Sequence, residues 1–295
     1  MPYRHYGNIG DIWKHLPLCE ILVREPPRVY IEANTAGALY ALEGTSRQRY
    51  GVYTIYGADE PEIAQSAYLA QLRQLNKGGV EPRVYPGSPA LALRLLGAGA
   101  ARFVFFDLEP AALEAVRADA AALGLAERVE LRCEDSIQGV HDLLDGLGPD
   151  SFITIDPYLL LEPNGAGMSY LDVFLAAARR GIPALAWYGY MTAQEQRELR
   201  ERIRLGAAAL DLVQGGRSLF AAEIWLAGMG EAGVRANPGI AGCGILTANL
   251  TVGTQVRLVR LADALCRLYA GMRFEGESGA LMWALPLQVP QGSAV

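Results

Sequence analysis

Four short β-rich runs, each ending in or beside a carboxylic acid, constrain the fold of this chain more than any other feature. They read RVYIEA (28–33), RFVFFDLEP (102–110), RVELRCED (128–135) and SFITIDPY (151–158). Helical stretches such as PAALEAVRADAAALGL and SIQGVHDLLDGLG separate the later runs. Strands that alternate with helices form a doubly wound parallel sheet with right-handed crossovers. The sequence therefore predicts the α/β class and a Rossmann-like architecture.

The last third of the chain has a different pattern. After a fifth strand, PALAWYGY, the segments AAEIWLAGM and CGILTANL face each other across a Gly/Pro-rich loop. A long helix, TQVRLVRLADALCRLYAGM, and the apolar run ALMWALPL follow. Successive β-rich segments of this kind form an antiparallel addition to a sheet. We therefore expect a mostly parallel seven-stranded sheet with an antiparallel C-terminal strand.

The connection between the first and second strands is unusually long. Residues 46–85 include the helical stretch EPEIAQSAYLAQLRQLN, and a crossover of this length is typical of a lid or a recognition subdomain. We expect a single domain over residues 1–295, with an N-terminal lid segment and helix at 1–24 and a small helical insertion at 46–85. A hydrophobic content of 51% in 295 residues is enough for one large core.

Charge and cysteine usage exclude several classes of function. The net charge of −6 supplies no general attraction for a phosphate backbone, so RNA binding would need a local basic patch. The four cysteines lack the paired spacing of a zinc site, and we expect neither a metal nor disulfides. The charged N-terminus does not resemble a signal peptide, and no apolar window is long enough to span a bilayer. These features predict a cytoplasmic protein, monomeric or homodimeric, with no membrane partner.

Carboxylic acids occupy the predicted carboxyl ends of four strands, where open α/β sheets bind ligands. They are Glu32, Asp107, Asp135 and Asp156. Any one of them is equally well explained as the N-cap of the following helix. As a set, an acid after the second strand suits a ribose diol, one after the third an adenine amino group, and one after the fourth a reacting group. That arrangement is typical of S-adenosylmethionine binding in class I methyltransferases.

Two other features bear on the class of ligand. The loop NTAGALYALEG lacks the glycine spacing of a dinucleotide fingerprint, which disfavours a hydride-transferring dehydrogenase. The turn YPGSP (85–89) contains Ser88, which caps the next helix on local chemistry alone. The same hydroxyl at a helix N-terminus would also suit the carboxylate of a methionine moiety.

Several motifs together resemble one known family. They are the opening YRH…GN…D…KH, the YPGSP turn, Asp107-Leu108-Glu109-Pro110, Asp156-Pro157-Tyr158 and the pair Trp187-Tyr188. The chain resembles the RlmJ family, which methylates the N6 amine of an adenine in 23S ribosomal RNA. The similarity runs in one register from Tyr3 to the final strand.

The resemblance implies a role for individual residues. In such an enzyme the N-terminal segment folds over the cofactor, Ser88 touches its methionine part, Asp107 its ribose and Asp135 its adenine, while Asp156 meets the nucleophilic amine. The catalytic candidates are Tyr3, His5, Lys14, Asp156 and Tyr158. The cofactor-binding candidates are His15, Asn34, Ser88, Asp107, Leu108, Asp135 and Asp156, and no metal is expected.

Departures from the family pattern fall at the substrate pocket. The family carries Asp-Pro-Pro-Tyr after the fourth strand, whereas this chain has DPYLLLEP. Either Tyr158 shifts by one position or Leu159 occupies the site where the tyrosine stacks on an extruded adenine. Asn34 stands where the family usually has a histidine. The change at Tyr158 and Leu159 alters a pocket built for adenine, whereas Asn34 belongs to the glycine loop.

Three sets of side chains are candidate contacts for RNA or for a planar substrate. Arg257, Arg260, Arg267 and Arg273 recur along the last long helix and its end, either as a basic stripe or as a plain solvated face. The segment RELRERIR (197–204) is most simply a solvated helix face. Trp187, Tyr188 and Tyr190 follow the fifth strand, where stacking on a substrate and core packing are both plausible.

Three hypotheses account for these observations. The first is an S-adenosylmethionine-dependent enzyme acting on a small aromatic or heterocyclic metabolite, by methyl transfer or by cyclisation of a cofactor-derived adduct. The second is a 23S rRNA adenine-N6 methyltransferase. The third is a non-catalytic protein that binds the cofactor and serves as an interaction module. The intact cofactor set, the altered adenine motif and the acidic balance favour the first.

Overall fold

The computed structural model describes residues 5–210, 219–227, 241–274 and 277–288. Its helices are α1 (Ile9–Arg24), α2 (Ser46–Gln48), α3 (Thr54–Tyr56), α4 (Pro61–Ala64), α5 (Ala67–Leu75), α6 (Ser88–Leu96), α7 (Pro110–Ala122), α8 (Ser136–Leu143), α9 (Tyr170–Arg179), α10 (Ala193–Ala208) and α11 (Val252–Leu268). Its strands are β1 (Val29–Ala33), β2 (Leu39–Ala41), β3 (Val84–Pro86), β4 (Arg102–Phe106), β5 (Val129–Arg132), β6 (Ser151–Ile155), β7 (Ala184–Tyr190), β8 (Leu219–Leu226), β9 (Gly242–Ala248), β10 (Arg273–Phe274), β11 (Glu277–Ser278) and β12 (Leu281–Gln288).

The large sheet has the strand order β12-β8-β9-β7-β6-β1-β4-β5. Strands β5, β4, β1, β6 and β7 run parallel, whereas β9 is antiparallel to both β7 and β8. This confirms the predicted α/β class, the mostly parallel sheet and the antiparallel C-terminal strands. The sheet has one strand more than the seven predicted, because the closing run forms β12 on the free edge of β8. Such pairing covers backbone N–H and C=O groups that an edge strand leaves exposed.

Alternation within the strands divides the core between the two faces of the sheet. In β4, Phe103 and Phe105 pack on one face with side chains of α1, α6, α7 and α11. Val104 and Phe106 point to the opposite face and pack with α8, α9 and α10. Because both faces are covered, the carboxyl ends of the parallel strands form the edge of the sheet where side chains can meet a ligand.

Helix α1 is buried and reaches across the molecule. Its N-terminus has a capping box, in which Asp11 N–H donates to Asn8 Oδ1 over 3.0 Å and Asn8 N–H donates to Asp11 Oδ2 over 3.4 Å. Trp13 is fully buried, and its Nε1–H donates to the carbonyl of Ala222 in β8 over 3.2 Å. The first helix is therefore fixed to a strand from the last third of the chain.

The segment predicted as a helical insertion, 46–85, contains α2 to α5 and a π-helical stretch at Arg49–Tyr53. The short strands β2 and β3 pair antiparallel on either side of it. Gly51 lies against the start of α1, where Val52 N–H donates to the carbonyl of Gly7 over 2.9 Å. A Cβ at position 51 would be 2.3 Å from that carbonyl oxygen. The insertion and the N-terminal segment are thus in direct backbone contact.

The structure also bears on the cysteines and on membrane contact. Cys19 and Cys243 are buried, Cys266 is half-buried and Cys133 is exposed, and all four thiols are free. Within the described residues, no helix combines the length and the apolar character needed to cross a bilayer.

Candidate active site at the carboxyl ends of the strands

The centre of the site is an ion pair between α1 and the end of β6. Lys14 Nζ donates to Asp156 Oδ2 over 2.6 Å and to Asp11 Oδ1 over 3.1 Å. All three side chains are largely buried, with 11% of Lys14, 14% of Asp11 and 17% of Asp156 exposed. Two of the predicted catalytic residues, Lys14 and Asp156, are therefore in contact although 142 positions separate them in the sequence.

The two carboxylates of this cluster stabilise the charged form of Lys14. Burial alone would lower the pKa of Lys14, but the carboxylates of Asp156 and Asp11 outweigh it and raise that pKa above its ordinary value. Burial raises the pKa of Asp11, and the Lys14 ammonium partly offsets this. Lys14 therefore keeps its positive charge and holds Asp156 in one orientation at the end of β6.

Glu32 lies beneath this cluster, fully buried near the end of β1. Tyr30 Oη donates to Glu32 Oε2 over 2.7 Å, and Ser88 Oγ donates to Glu32 Oε1. Burial raises the pKa of Glu32 to about 8, although these two hydrogen bonds act in the opposite direction. Ser88, predicted to touch the methionine part of the cofactor, has its hydroxyl engaged by this acid.

Asp107 organises the loop that follows β1. Its Oδ2 accepts from Ala36 N–H over 2.8 Å and its Oδ1 accepts from Glu109 N–H over 2.8 Å. Asn34 and Ala36 both have positive φ, at 60° and 55°, so the loop turns sharply back toward the strand ends. Asn34 Nδ2 donates to Tyr170 Oη over 2.8 Å, while its Oδ1 is buried without a partner in the described chain.

Asp135 and Leu108 lie at the ends of β5 and β4. Asp135 caps α8 by accepting from Ile137 N–H over 2.9 Å. This matches the alternative explanation of these acids as N-caps of the following helices. Its second oxygen accepts from Asn164 Nδ2 over 2.7 Å. Leu108 is 70% exposed beside the buried Asp107, and it offers an apolar surface at this edge of the sheet.

His15 is buried one position beyond Lys14. Tyr85 Oη lies 2.7 Å from His15 Nδ1, and the Tyr68 ring is also close. Burial lowers the pKa of His15 well below its ordinary value, and the nearby Lys14 charge acts in the same direction. The imidazole is therefore neutral, and its Nε2 has no hydrogen-bond partner among the residues that the structure describes.

The remaining predicted catalytic residues line the outside of the site or fall outside the structure. Tyr3 lies outside the described residues. His5 is exposed, and its carbonyl accepts from Asn8 Nδ2 over 3.5 Å. Tyr158 is 83% exposed and Leu159 is 51% exposed, so both project from the loop after β6.

The aromatic residues of β7 belong to the core. Tyr188 and Tyr190 are buried, and their hydroxyls lie near Glu223 on β8. Arg200 and Gln196 from α10 also donate to that carboxylate. The core-packing alternative therefore accounts for both tyrosines, and Trp187 is likewise buried.

Two of the four arginines in the candidate phosphate-binding stripe face carboxylates. Arg257 is buried and donates to Glu20 over 2.8 Å and also to Glu62. Arg267 donates to Glu60 over 2.6 Å and to Asp263. Arg204 in the RELRERIR segment pairs with Glu201. These charges tie α11 and α10 to neighbouring acids, which leaves less positive potential for a polyanion.

Asp11 and Tyr170 were not among the candidate residues. Tyr170, at the start of α9, donates to or accepts from Ser136 Oγ at 2.9 Å and also contacts Asn34. Nothing in its local sequence indicates that position. Asp11 has a local signal, because Asn8 and Asp11 have the spacing of a capping box. That signal predicts a helix cap and not the contact with Lys14.

The arrangement has a definite chemical capacity. The Asp156 carboxylate is held by the Lys14 ammonium at the carboxyl end of β6. Such a carboxylate can accept a hydrogen bond from an incoming N–H or O–H group and then take its proton. The buried ion pair fixes the direction of that carboxylate before a substrate arrives. The site is therefore suited to aligning a nucleophile and removing its proton.

Comparisons with known proteins identify the family of this chain. Residues 25–206 match the family model described as Ribosomal RNA large subunit methyltransferase D, RlmJ. The Ribosomal RNA large subunit methyltransferase J of Haemophilus influenzae is 24% identical over 210 residues, which cover 66% of this chain and 71% of that protein. A release factor glutamine methyltransferase of Cereibacter sphaeroides is 37% identical over 113 residues, covering 33% of this chain and 39% of that protein.

The fold also has a close match among solved structures. The crystal structure of protein LPL1258 from Legionella pneumophila has a TM-score of 0.70 and 18% identity to this chain. It covers 95% of this chain and 98% of the other.

The residues at the strand ends fit S-adenosylmethionine, which supplies an electrophilic methyl group on a positively charged sulfur when bound. Asn34 Oδ1 and His15 Nε2 are buried polar atoms that lack a partner in the described chain, as expected where a ligand completes a site. Asp107, Asp135 and the exposed Leu108 would hold the nucleoside. Ser88 would have to release Glu32 to reach the methionine carboxylate. The chain belongs to the RlmJ family and is an S-adenosylmethionine-dependent methyltransferase.

Proposed function

We propose that this enzyme methylates a small aromatic or heterocyclic metabolite, with Asp156 accepting the proton of the nucleophile. The observation that carries the proposal concerns α11, the candidate helix for phosphate contact. Its Arg257 and Arg267 are both paired with carboxylates. An enzyme acting on ribosomal RNA must neutralise several phosphates at once. A chain of net charge −6 in which Arg257 and Arg267 are already paired with carboxylates is better matched to a small substrate.

The loop after β6 supports the same substrate class. Tyr158 and Leu159 follow Asp156 closely in the sequence and are both exposed, so an aromatic ring and an aliphatic side chain are available there to a substrate. Planar apolar molecules pack well against such groups. The Asp-Pro-Tyr sequence also lacks the second proline that accompanies adenine recognition in the family pattern.

Asp156 and Lys14 would have separate roles in the reaction. The Asp156 carboxylate would accept a hydrogen bond from the nucleophile X–H and take its proton as the X–CH3 bond forms and the sulfur–methyl bond breaks. Lys14 would hold the carboxylate and balance its charge. The same alignment would serve an intramolecular displacement that closes a ring on a cofactor-derived adduct.

The second candidate is N6 methylation of an adenine in 23S ribosomal RNA. It is supported by the name of the Haemophilus influenzae relative, a ribosomal RNA large subunit methyltransferase. Tyr158, exposed beside Asp156, is also available for stacking on an extruded base.

One assay separates the two candidates. Purified enzyme is incubated with methyl-labelled S-adenosylmethionine and either deproteinised 23S RNA or a panel of phenols, indoles and purines. We expect label in one or more small molecules, its loss in Asp156→Asn, and no label in RNA. Stoichiometric methylation of an RNA adenine that Asp156→Asn abolishes would replace the first candidate by the second. RNA affinity measured at two salt concentrations gives an independent check, since phosphate contacts weaken steeply with salt.

A further inference from the structure

We propose that Asp11 is a positioning residue for methyl transfer, which compensates the charge of Lys14 when Asp156 takes up a proton. The inference rests on the role proposed above for Asp156. Lys14 Nζ lies between Asp11 Oδ1 at 3.1 Å and Asp156 Oδ2 at 2.6 Å. The ammonium thus has one carboxylate on the substrate side and one on its own helix.

Asp11 is fixed independently of the site. Its Oδ2 accepts from Asn8 N–H and its own N–H donates to Asn8 Oδ1, so the capping box holds the side chain at the start of α1. Its other oxygen is directed to Lys14, three residues further along the helix. The positive end of the helix dipole favours an ionised acid in this turn. Lys14 therefore contacts a carboxylate whose position does not depend on a ligand.

The contact between Asp11 and Lys14 changes the charge of the cluster during the reaction. Two carboxylates and one ammonium give the cluster a net charge of −1 before reaction. When Asp156 accepts the nucleophile's proton, the cluster becomes neutral, with Lys14 and Asp11 still paired. Without Asp11, the same step would leave an uncompensated buried ammonium, which is costly and would oppose proton uptake. The spare negative charge also favours a positively charged sulfonium over a neutral thioether at the neighbouring site.

The test compares binding of the cationic and the neutral form of the cofactor. S-adenosylmethionine carries the sulfonium charge and S-adenosylhomocysteine does not, so the ratio of their dissociation constants reports the local charge. We expect Asp11→Asn to weaken S-adenosylmethionine binding about tenfold more than S-adenosylhomocysteine binding in isothermal calorimetry. Asp11→Glu keeps the charge and the capping-box acid, and it should restore the wild-type ratio.

A matched control removes an equivalent charge elsewhere. Asp172 is the capping-box acid of α9 with Ser169, and it is exposed. Asp172→Asn should leave the ratio of the two dissociation constants unchanged. If Asp11→Asn weakens the binding of both ligands equally, or changes neither, the inference is wrong. Asp11 would then serve only to stabilise the start of α1. Asp11→Ser, whose hydroxyl can still accept a hydrogen bond from Asn8 N–H, gives the same readout should the asparagine variant fail to fold.

The measurement is independent of the substrate. If RNA rather than a metabolite proves to be methylated, the cofactor ratio still reports on Asp11. A different outcome is that Asp11→Asn leaves the ratio of dissociation constants unchanged while Asp156→Asn abolishes methylation of a small molecule. In that case the proposed function is retained and the role proposed for Asp11 is wrong.

Discussion

At the scale of single residues, Glu32 illustrates what the sequence conveys and what it omits. The β-rich run that contains Glu32 predicts that this acid lies at the carboxyl end of the first strand. Its partner Ser88 lies 56 positions away, on a different element. A local pattern cannot reveal that this acid is fully buried and bound by two hydroxyls, because both facts depend on how β1 and α6 pack.

The buried acid makes stability depend on pH in a predictable direction. The pKa of Glu32 is about 8 in the folded protein and 4.5 in the unfolded chain. Between these pH values the folded state therefore binds more protons than the unfolded state. The contribution of Glu32 is therefore fully favourable below about pH 4.5 and is lost as the pH rises toward 8. We expect the free energy of unfolding to fall over this range by up to about 1.4 kcal/mol per pH unit from this group.

Urea unfolding of Glu32→Gln and of the wild type, at several pH values from 5 to 9, checks this prediction. The variant should lose less stability than the wild type as the pH rises. Glu114→Gln, at an exposed position on α7, should follow the wild type. Parallel curves for Glu32→Gln and wild type would mean that Glu32 does not hold a raised pKa.

At the scale of elements, the long strands and helices were predictable and the short ones were not. The strands β1, β4, β5 and β6 have four or five residues and are rich in β-branched and aromatic side chains or alternate apolar with charged ones. By contrast, β2 and β3 have three residues each, and the register joins Leu39 to Pro86 across the whole insertion. A three-residue strand has no measurable periodicity, so its pairing follows from the tertiary structure alone.

The contact between the π-helical stretch and α1 gives a prediction at this scale. A Cβ at position 51 would lie 2.3 Å from the Gly7 carbonyl oxygen and 2.7 Å from the Asn8 carbonyl carbon. Neither backbone atom can move without disturbing the cap of α1. We expect Gly51→Ala to lower the free energy of unfolding by about 1–3 kcal/mol, measured by chemical denaturation.

Gly57 provides the control in the same insertion. It has ordinary negative φ of −88°, and an added Cβ would meet only the Tyr53 carbonyl at 3.8 Å. Gly57→Ala should change the free energy of unfolding by less than about 0.5 kcal/mol. Similar losses in both variants would point to a general cost of replacing glycine in this segment.

At the scale of the whole molecule, topology assembles a site from distant parts of the chain. Lys14, Asp107, Asp135 and Asp156 come from four different elements that end at one edge of the sheet. The alternation of strands and helices predicted that edge, and the family motifs predicted those residues. The motifs did not predict that Tyr188 and Tyr190 face Glu223 in the core, because an aromatic residue at a strand end suits either environment.

Cofactor binding should stabilise the fold as a whole. With a dissociation constant in the micromolar range, 1 mM S-adenosylmethionine adds about 4 kcal/mol to the free energy of unfolding. Thermal unfolding with and without the ligand measures the effect, and Asp107→Asn should reduce it sharply. Adenosine triphosphate, which shares the nucleoside but not the methionine moiety, serves as the control ligand. No shift in the wild type at this concentration would contradict the assigned position of the cofactor.

The bond from Trp13 to Ala222 also sets an order of events during synthesis. The two residues are 209 positions apart, so helix α1 leaves the ribosome long before the strand that receives its indole exists. At elongation rates of about 5–20 residues per second, the delay is on the order of ten to forty seconds. During that time the apolar surface of the first helix has no native neighbour in the last third of the chain. The nascent protein must either be held by a chaperone or keep this helix against α5 and α6, which are made earlier, until β8 emerges.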